Sequence, residues 1–172
     1  MKKIILSLIV LPMFVLCFSI NLNAQSSETD LDQVELMKQL IGSWTAETGV
    51  DTTVLWEIIP SGWGYTHNLD FKAKGETYQT NKGIIGTPEN FETVTMVTLW
   101  QDGWISIYKG KFVSDKEITF EMFDQDLSHL MATMDMKFLT PDKYNMIYKD
   151  RRMEETWDNA TAFEWIWTRV KK

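Results

Sequence analysis

The chain reads as an all-β protein: an antiparallel meander closed into a barrel of about eight to ten strands, preceded by one short helix. Three observations carry that reading. Downstream of residue 43 the apolar residues recur with a period of two. Turn signals separate these runs at short spacing, and no strand-helix-strand spacing suggests a parallel sheet.

The N-terminus sets the compartment. Lys2 and Lys3 precede an apolar stretch from Ile4 to Ile20 that ends in Asn21, Leu22, Asn23, Ala24 and Gln25. This is the charged, apolar and cleavage-region order of a secretory signal peptide, assigned to residues 1–25, with one barrel domain over 26–172. Ser7 and Pro12 interrupt a stretch that is barely long enough for a bilayer, so a retained membrane anchor is the weaker alternative. Cleavage after Ala24 leaves the bulky Leu22 two residues before it, so the exact bond stays open. Cys17 follows Phe14, Val15 and Leu16, an arrangement unlike a lipoprotein processing site. The expected address is the periplasm or the exterior, with no membrane span after cleavage.

Cys17 is the single cysteine and lies in the segment to be removed, so the mature chain has no thiol or disulfide and depends on its core. Losing Lys2 and Lys3 takes the formal charge from −7 to −9. Such an acidic chain offers no stripe for a phosphate backbone beyond Lys149, Arg151 and Arg152, which argues against nucleic acid. Eight tryptophans all fall downstream of the signal segment and serve either as core or as stacking surface. The sequence does not specify the oligomeric state.

Asp30 opens an amphipathic run through Leu31, Val34, Met37, Leu40 and Ile41. Asp30 and Gln33 form a capping-box pattern, and Gly42 is placed to end a helix of about three turns. The clearest strand is Trp63 to Lys72, where Trp63, Tyr65, His67, Leu69 and Phe71 alternate with polar residues. The same alternation marks Val54-Trp56-Ile58, Ile118-Phe120-Met122, Met134-Met136-Phe138, Tyr144-Met146-Tyr148 and Phe163-Trp165-Trp167-Arg169. Less regular strands cover Glu76 to Ile85, Glu92 to Trp100 and Trp104 to Lys109. Pro60-Ser61-Gly62, Lys74-Gly75, Asp102-Gly103 and Pro141-Asp142 supply turn geometry.

At Gly42-Ser43-Trp44 the junction of helix and first strand resembles the Gly-x-Trp motif that opens lipocalins and related calycin barrels, and Arg169 falls in the last strand. The chain has no Thr-Asp-x-x-Tyr motif and no disulfide, and Lys82-Gly83-Ile84-Ile85-Gly86 with Asn90-Phe91-Glu92 is similar to the looser group of secreted bacterial lipocalin-like domains. The resemblance implies that Trp44 seals the barrel base with Arg169 packed across it, making Gly42, Trp44 and Arg169 structural. Haem-binding relatives would hold iron through a histidine near the C-terminal end; nothing after His129 can serve, and His67 is the sole inward candidate.

Inward positions of a small barrel either fill it or line a cavity. Trp56, Tyr65, His67, Phe120, Met136, Tyr144, Met146 and Trp165 are the candidate ligand contacts, each with core packing as the plainer reading. His67 stands out as a titratable ring on an apolar face. Arg169 is the alternative anchor for a ligand carboxylate. His129, between Asp126 and Leu130, lacks a second ligand at metal spacing, so no metal or other cofactor is expected. No catalytic triad, carboxylate pair or phosphate loop is present. The run Lys149 to Glu155 reads as a solvated hairpin loop, and Asn159-Ala160-Thr161 fits a glycosylation pattern.

The expected function is therefore non-enzymatic binding of a small hydrophobic or amphipathic molecule outside the cytoplasm. The alternative is a carbohydrate-binding or carbohydrate-processing accessory protein that stacks sugar on exposed Trp63, Trp100, Trp104 and Trp157.

Overall fold

The computed structural model describes residues 31–88, 91–151 and 156–171. The segment expected to be a signal peptide, Asp30, Asn90 and part of the Lys149 to Glu155 loop lie outside these residues. A short helix, α1 (Gln33–Met37), runs into a 3-10 turn (Lys38–Leu40). Ten strands follow: β1 (Gly42–Gly49), β2 (Thr52–Ser61), β3 (Gly64–Ala73), β4 (Glu76–Gly86) and β5 (Val94–Leu99). The rest are β6 (Ile105–Ser114), β7 (Glu117–Phe123), β8 (Leu130–Thr140), β9 (Lys143–Asp150) and β10 (Thr161–Arg169). Each strand pairs antiparallel with the next, and β10 pairs back with β1, so the meander closes into a barrel. Closure leaves no unpaired sheet edge. Among the described residues no helix is long and apolar enough to cross a membrane.

The period-two pattern makes this core. Trp44 and Ala46 of β1, Val54, Trp56 and Ile58 of β2, and Ile118, Phe120 and Met122 of β7 all point inward and are buried. Strand β3 opens at Gly64, not Trp63, because Gly62 and Trp63 form the β2–β3 turn. Strand β6 extends past Lys109 to Ser114, adding the buried Phe112 to the core.

The helix differs from the sequence expectation in both caps. Asp32, not Asp30, is the N-cap, and its carboxylate accepts from the Glu35 N–H at 2.9 Å. Gln33 is buried and takes no part in capping. Its amide mimics a strand neighbour: Oε1 accepts from the Phe112 N–H at 2.7 Å and Nε2 donates to the Phe112 carbonyl at 3.2 Å. That pair fastens α1 across the end of β6. The helix tightens into the 3-10 turn before Gly42, and Gly42 begins β1 at φ +125°, a conformation suited to glycine.

Candidate functional site

The two ends of the barrel are built differently. At the end beneath α1, Trp44 is fully buried and its indole N–H donates to the Leu40 carbonyl at 2.8 Å. Trp44 and Arg169 are direct partners across β1 and β10, and the guanidinium carbon lies 4.1 Å from the indole ring centre. This is cation-π distance. Arg169 also donates to the carbonyls of Ile41, Gln39 (3.0 Å) and Pro141 (3.1 and 3.2 Å), and its Nε lies 3.3 Å from the Asp142 carboxylate. A Cβ at Gly42 would come within 2.7 Å of the Arg169 Nη1, so the glycine makes room for the guanidinium. With its donors committed here, Arg169 is unavailable as a carboxylate anchor inside the barrel.

Above this seal the interior is filled. Tyr144 is fully buried between the ring of Trp44, 4.8 Å away, and that of Trp167, stacked at 5.8 Å. Burial pushes its hydroxyl well above the usual phenol range. Met136 is fully buried, and Phe120 fills the space left by the missing side chain of its cross-strand partner Gly110. Tyr65 packs on the rim of the core opposite Ile85. Of the residues expected to touch a ligand, Tyr65, Phe120, Met136, Tyr144 and Trp165 do not line the interior cavity. All but Trp165 belong to the packed half of the barrel.

A cavity of about 70 Å³ occupies the middle level, with Trp56, His67 and Met146 in its wall. Met96, Met134, Tyr108 and Trp167 complete that level, and Leu69 and Trp100 extend the wall away from α1. Thr98 adds the remaining polar group. Met96, Thr98 and Tyr108 come from strands whose alternation is least regular in sequence, so periodicity gave them little weight.

His67 is held as a neutral ring. The Trp56 indole N–H, which can only donate, points at Nδ1 from 3.3 Å, so Nδ1 carries the lone pair. Nε2 then carries the proton, 3.4 Å from the Val97 carbonyl and 3.3 Å from the Thr98 hydroxyl. Protonating Nδ1 would set two donors against each other. Burial pulls the ring's pKa down to about 4, opposed in part by the Val97 carbonyl. His67, Gly83 and Thr98 are aligned across β3, β4 and β5. A Cβ at Gly83 would overlap both Nε2 and the Val97 carbonyl oxygen. A glycine inside a strand is the sequence signal for such close approach.

Beyond the cavity the inward rows of β9 and β10 end in aromatic side chains that stay partly uncovered. Phe163 and Trp165 stack with centres 5.6 Å apart, and Tyr148 lies 6.5 Å from each. Phe163 is 42% exposed, whereas Trp44 is 0% exposed. Leu69 and Trp100 carry the cavity wall toward this less covered end. Trp167 lines the cavity, and its indole N–H has no partner among the described residues.

The other candidate features resolve differently. Asp124, Asp126 and His129 come together on the β7–β8 loop with one ligand atom of each within 4.8 Å, a grouping that spacing did not reveal. The loop's own donors occupy the Asp124 carboxylate: Ser128 N at 2.9 Å, His129 N at 3.2 Å and Ser128 Oγ at 3.1 Å. The cluster closes a turn. The four tryptophans considered for sugar stacking do not share a face. Trp63 is wholly exposed on the β2–β3 turn, at the end opposite Trp104 on the β5–β6 turn. Trp100 donates to Ser106 at 2.8 Å, and Arg151 covers the Trp157 ring at 4.8 Å.

No protein-family model matches the sequence, and no curated protein does. Among solved structures, the crystal structure of Rv2717c from M. tuberculosis is similar, with a TM-score of 0.60 over 82% of this chain and 99% of that one. Identity is 11%. The likeness is one of fold.

Proposed function

We propose that this protein is a lipocalin-like, non-enzymatic binder that works outside the cytoplasm and takes a small apolar or amphipathic molecule through the open end of its barrel. The observation that carries the reading is the partly open cavity beside a lip formed by the exposed Phe163 and the half-buried Tyr148 and Trp165. Its volume of about 70 Å³ exceeds that of a single ordered water but is well below the ~300 Å³ at which pockets enclose drug-sized molecules. The end of a ligand enters, and the remainder lies on the aromatic lip. Methionine sulfur and indole walls adapt to differing apolar shapes. The charged, apolar and cleavage-region order of residues 1–25 supports the extracytoplasmic address.

Titration of the purified protein with short-chain amphiphiles and an environment-sensitive dye, followed by tryptophan fluorescence, tests the binding reading. Saturable binding tighter than roughly 100 μM, about −5.5 kcal/mol, is expected. A folded protein that saturates with none of them overturns it. Fractionation of the native host tests the address, which fails if full-length chain stays in the cytoplasm.

A further inference from the structure

We infer that the preferred ligand is a cationic amphiphile, whose positive group rests at Asp150 and the aromatic lip while its apolar end enters the cavity. This inference rests on the binding reading above and adds the ligand's charge.

The alternation that turns Tyr144, Met146 and Tyr148 of β9 inward reaches the exposed Asp150 at the strand's end, and the matching row of β10 runs Thr161, Phe163, Trp165, Trp167, Arg169. Each row holds one charged residue, and the two lie at opposite ends of the barrel. Arg169 is consumed in the seal on Trp44, with three backbone carbonyls and Asp142 around it. Asp150 follows Tyr148 at the open end, where its cross-strand partners are Ala132 and Thr161. Neither carries a charge to neutralise it. Its carboxylate is felt inside: after burial, Asp150 is a further cause of the raised hydroxyl pKa of Tyr148, and it contributes likewise at the cavity-lining Tyr108.

An anionic head group finds no such partner. No lysine or arginine lines the cavity, and the His67 ring is neutral with both nitrogens engaged. Lys149 and Arg151 flank Asp150 in sequence: Lys149 falls on the alternate, outward row of β9, and Arg151 donates to the Leu130 carbonyl at 2.9 Å and lies over Trp157. The described loops at the open end carry Asp51, Asp102, Asp124, Asp126 and Asp158 against Lys74 and Arg151. A cation is favoured by that field and by the negative faces of Tyr148, Phe163 and Trp165. A carboxylate or sulfate would lose its hydration beside those same faces with nothing in return.

The test compares three probes of equal chain length below their micelle concentrations: an alkyltrimethylammonium, an alkyl sulfate and an uncharged alkyl glucoside, followed by tryptophan fluorescence. The ammonium probe should bind at least about 10-fold more tightly than the sulfate, a difference of about 1.4 kcal/mol, and the preference should shrink with added salt. Asp150→Asn should weaken the ammonium probe several-fold and leave the glucoside unchanged, which also shows that the variant is folded. Equal or tighter sulfate binding overturns the charge assignment while the cavity reading stands. An Asp150→Asn variant with undiminished ammonium preference removes Asp150 from the site and overturns the inference. If no probe of any charge saturates, the binding reading itself fails.

Discussion

The sealed and open ends of the barrel are made from the same alternation of inward aromatic and polar outward residues, yet they have opposite finish. Beneath α1, the polar atoms of Trp44, Arg169 and Gln33 are tied to backbone groups of other segments, and the rings between them pack face to edge. At the far end, Tyr148, Phe163 and Trp165 lie against one another, Tyr148 and Trp165 pack on the core beneath, and the group remains partly exposed. Buried apolar area marks a core, and it is the unfinished burial that marks a site. Substitutions should therefore separate the ends, with stability lost at one and affinity at the other.

The largest effect is expected from Trp44→Ala, which removes a wholly buried ring and leaves the Leu40 carbonyl and the Arg169 guanidinium without their partner. Loss of about 3–5 kcal/mol is expected in urea denaturation. A cost below about 1 kcal/mol would mean that the seal is dispensable. Arg169→Ala should cost about 2–3 kcal/mol through the carbonyls it strands. Lysine at 169 should not restore this, since one ammonium cannot replace the planar guanidinium that spans those acceptors and stacks on the indole. Amphiphile affinity, measured on the fraction that remains folded, should be unchanged.

Between the ends, His67 makes stability depend on pH. Its pKa falls from 6.5 in the unfolded chain to about 4 in the fold, so between those values the unfolded chain binds the proton and the folded chain refuses it. The His67 contribution is complete above pH 6.5 and is lost as pH falls toward about 4, by up to roughly 3 kcal/mol at 1.36 kcal/mol per unit. Replacing His67 with Gln removes the titration, so the fall in stability from pH 7 to 4.5 should be shallower than in the wild type. Equal slopes in parallel urea melts would show that His67 is not buried neutral.

The smallest effect on stability is expected at the lip. Phe163→Ala removes a ring that is 42% exposed and should cost about 1 kcal/mol or less. The same change should weaken amphiphile binding about 10-fold, because it removes one face of the aromatic lip. A variant that loses stability but binds as before would reverse the assignment of the two ends.

Periodicity determined much by itself. The alternation from Val54 to Ile58, from Ile118 to Met122 and from Met134 to Phe138 specifies which side chains face inward, because a strand's side-chain period is fixed at two whatever the strand packs against. The resemblance of Gly42-Ser43-Trp44 to the motif that opens lipocalin-like barrels implied that Trp44 meets Arg169, and the register pairs the two. Local pattern was a poorer guide to the helix, where Gln33 suited a cap in sequence but is bonded to Phe112 in the fold. It was poorer still for the site. Alternation cannot tell an inward residue at the sealed level, such as Met136 or Tyr144, from one at the level of the cavity, such as Met146, since all obey the same period. Level in the barrel depends on the tilt and stagger of ten strands, on Gly83 letting His67 reach the Val97 carbonyl, and on α1 closing one end only. The sequence pattern thus determined the barrel and its inward face, and the motif resemblance implied the pairing of its ends; which end is sealed, and how little space lies behind the other, were decided by packing between residues far apart in the chain.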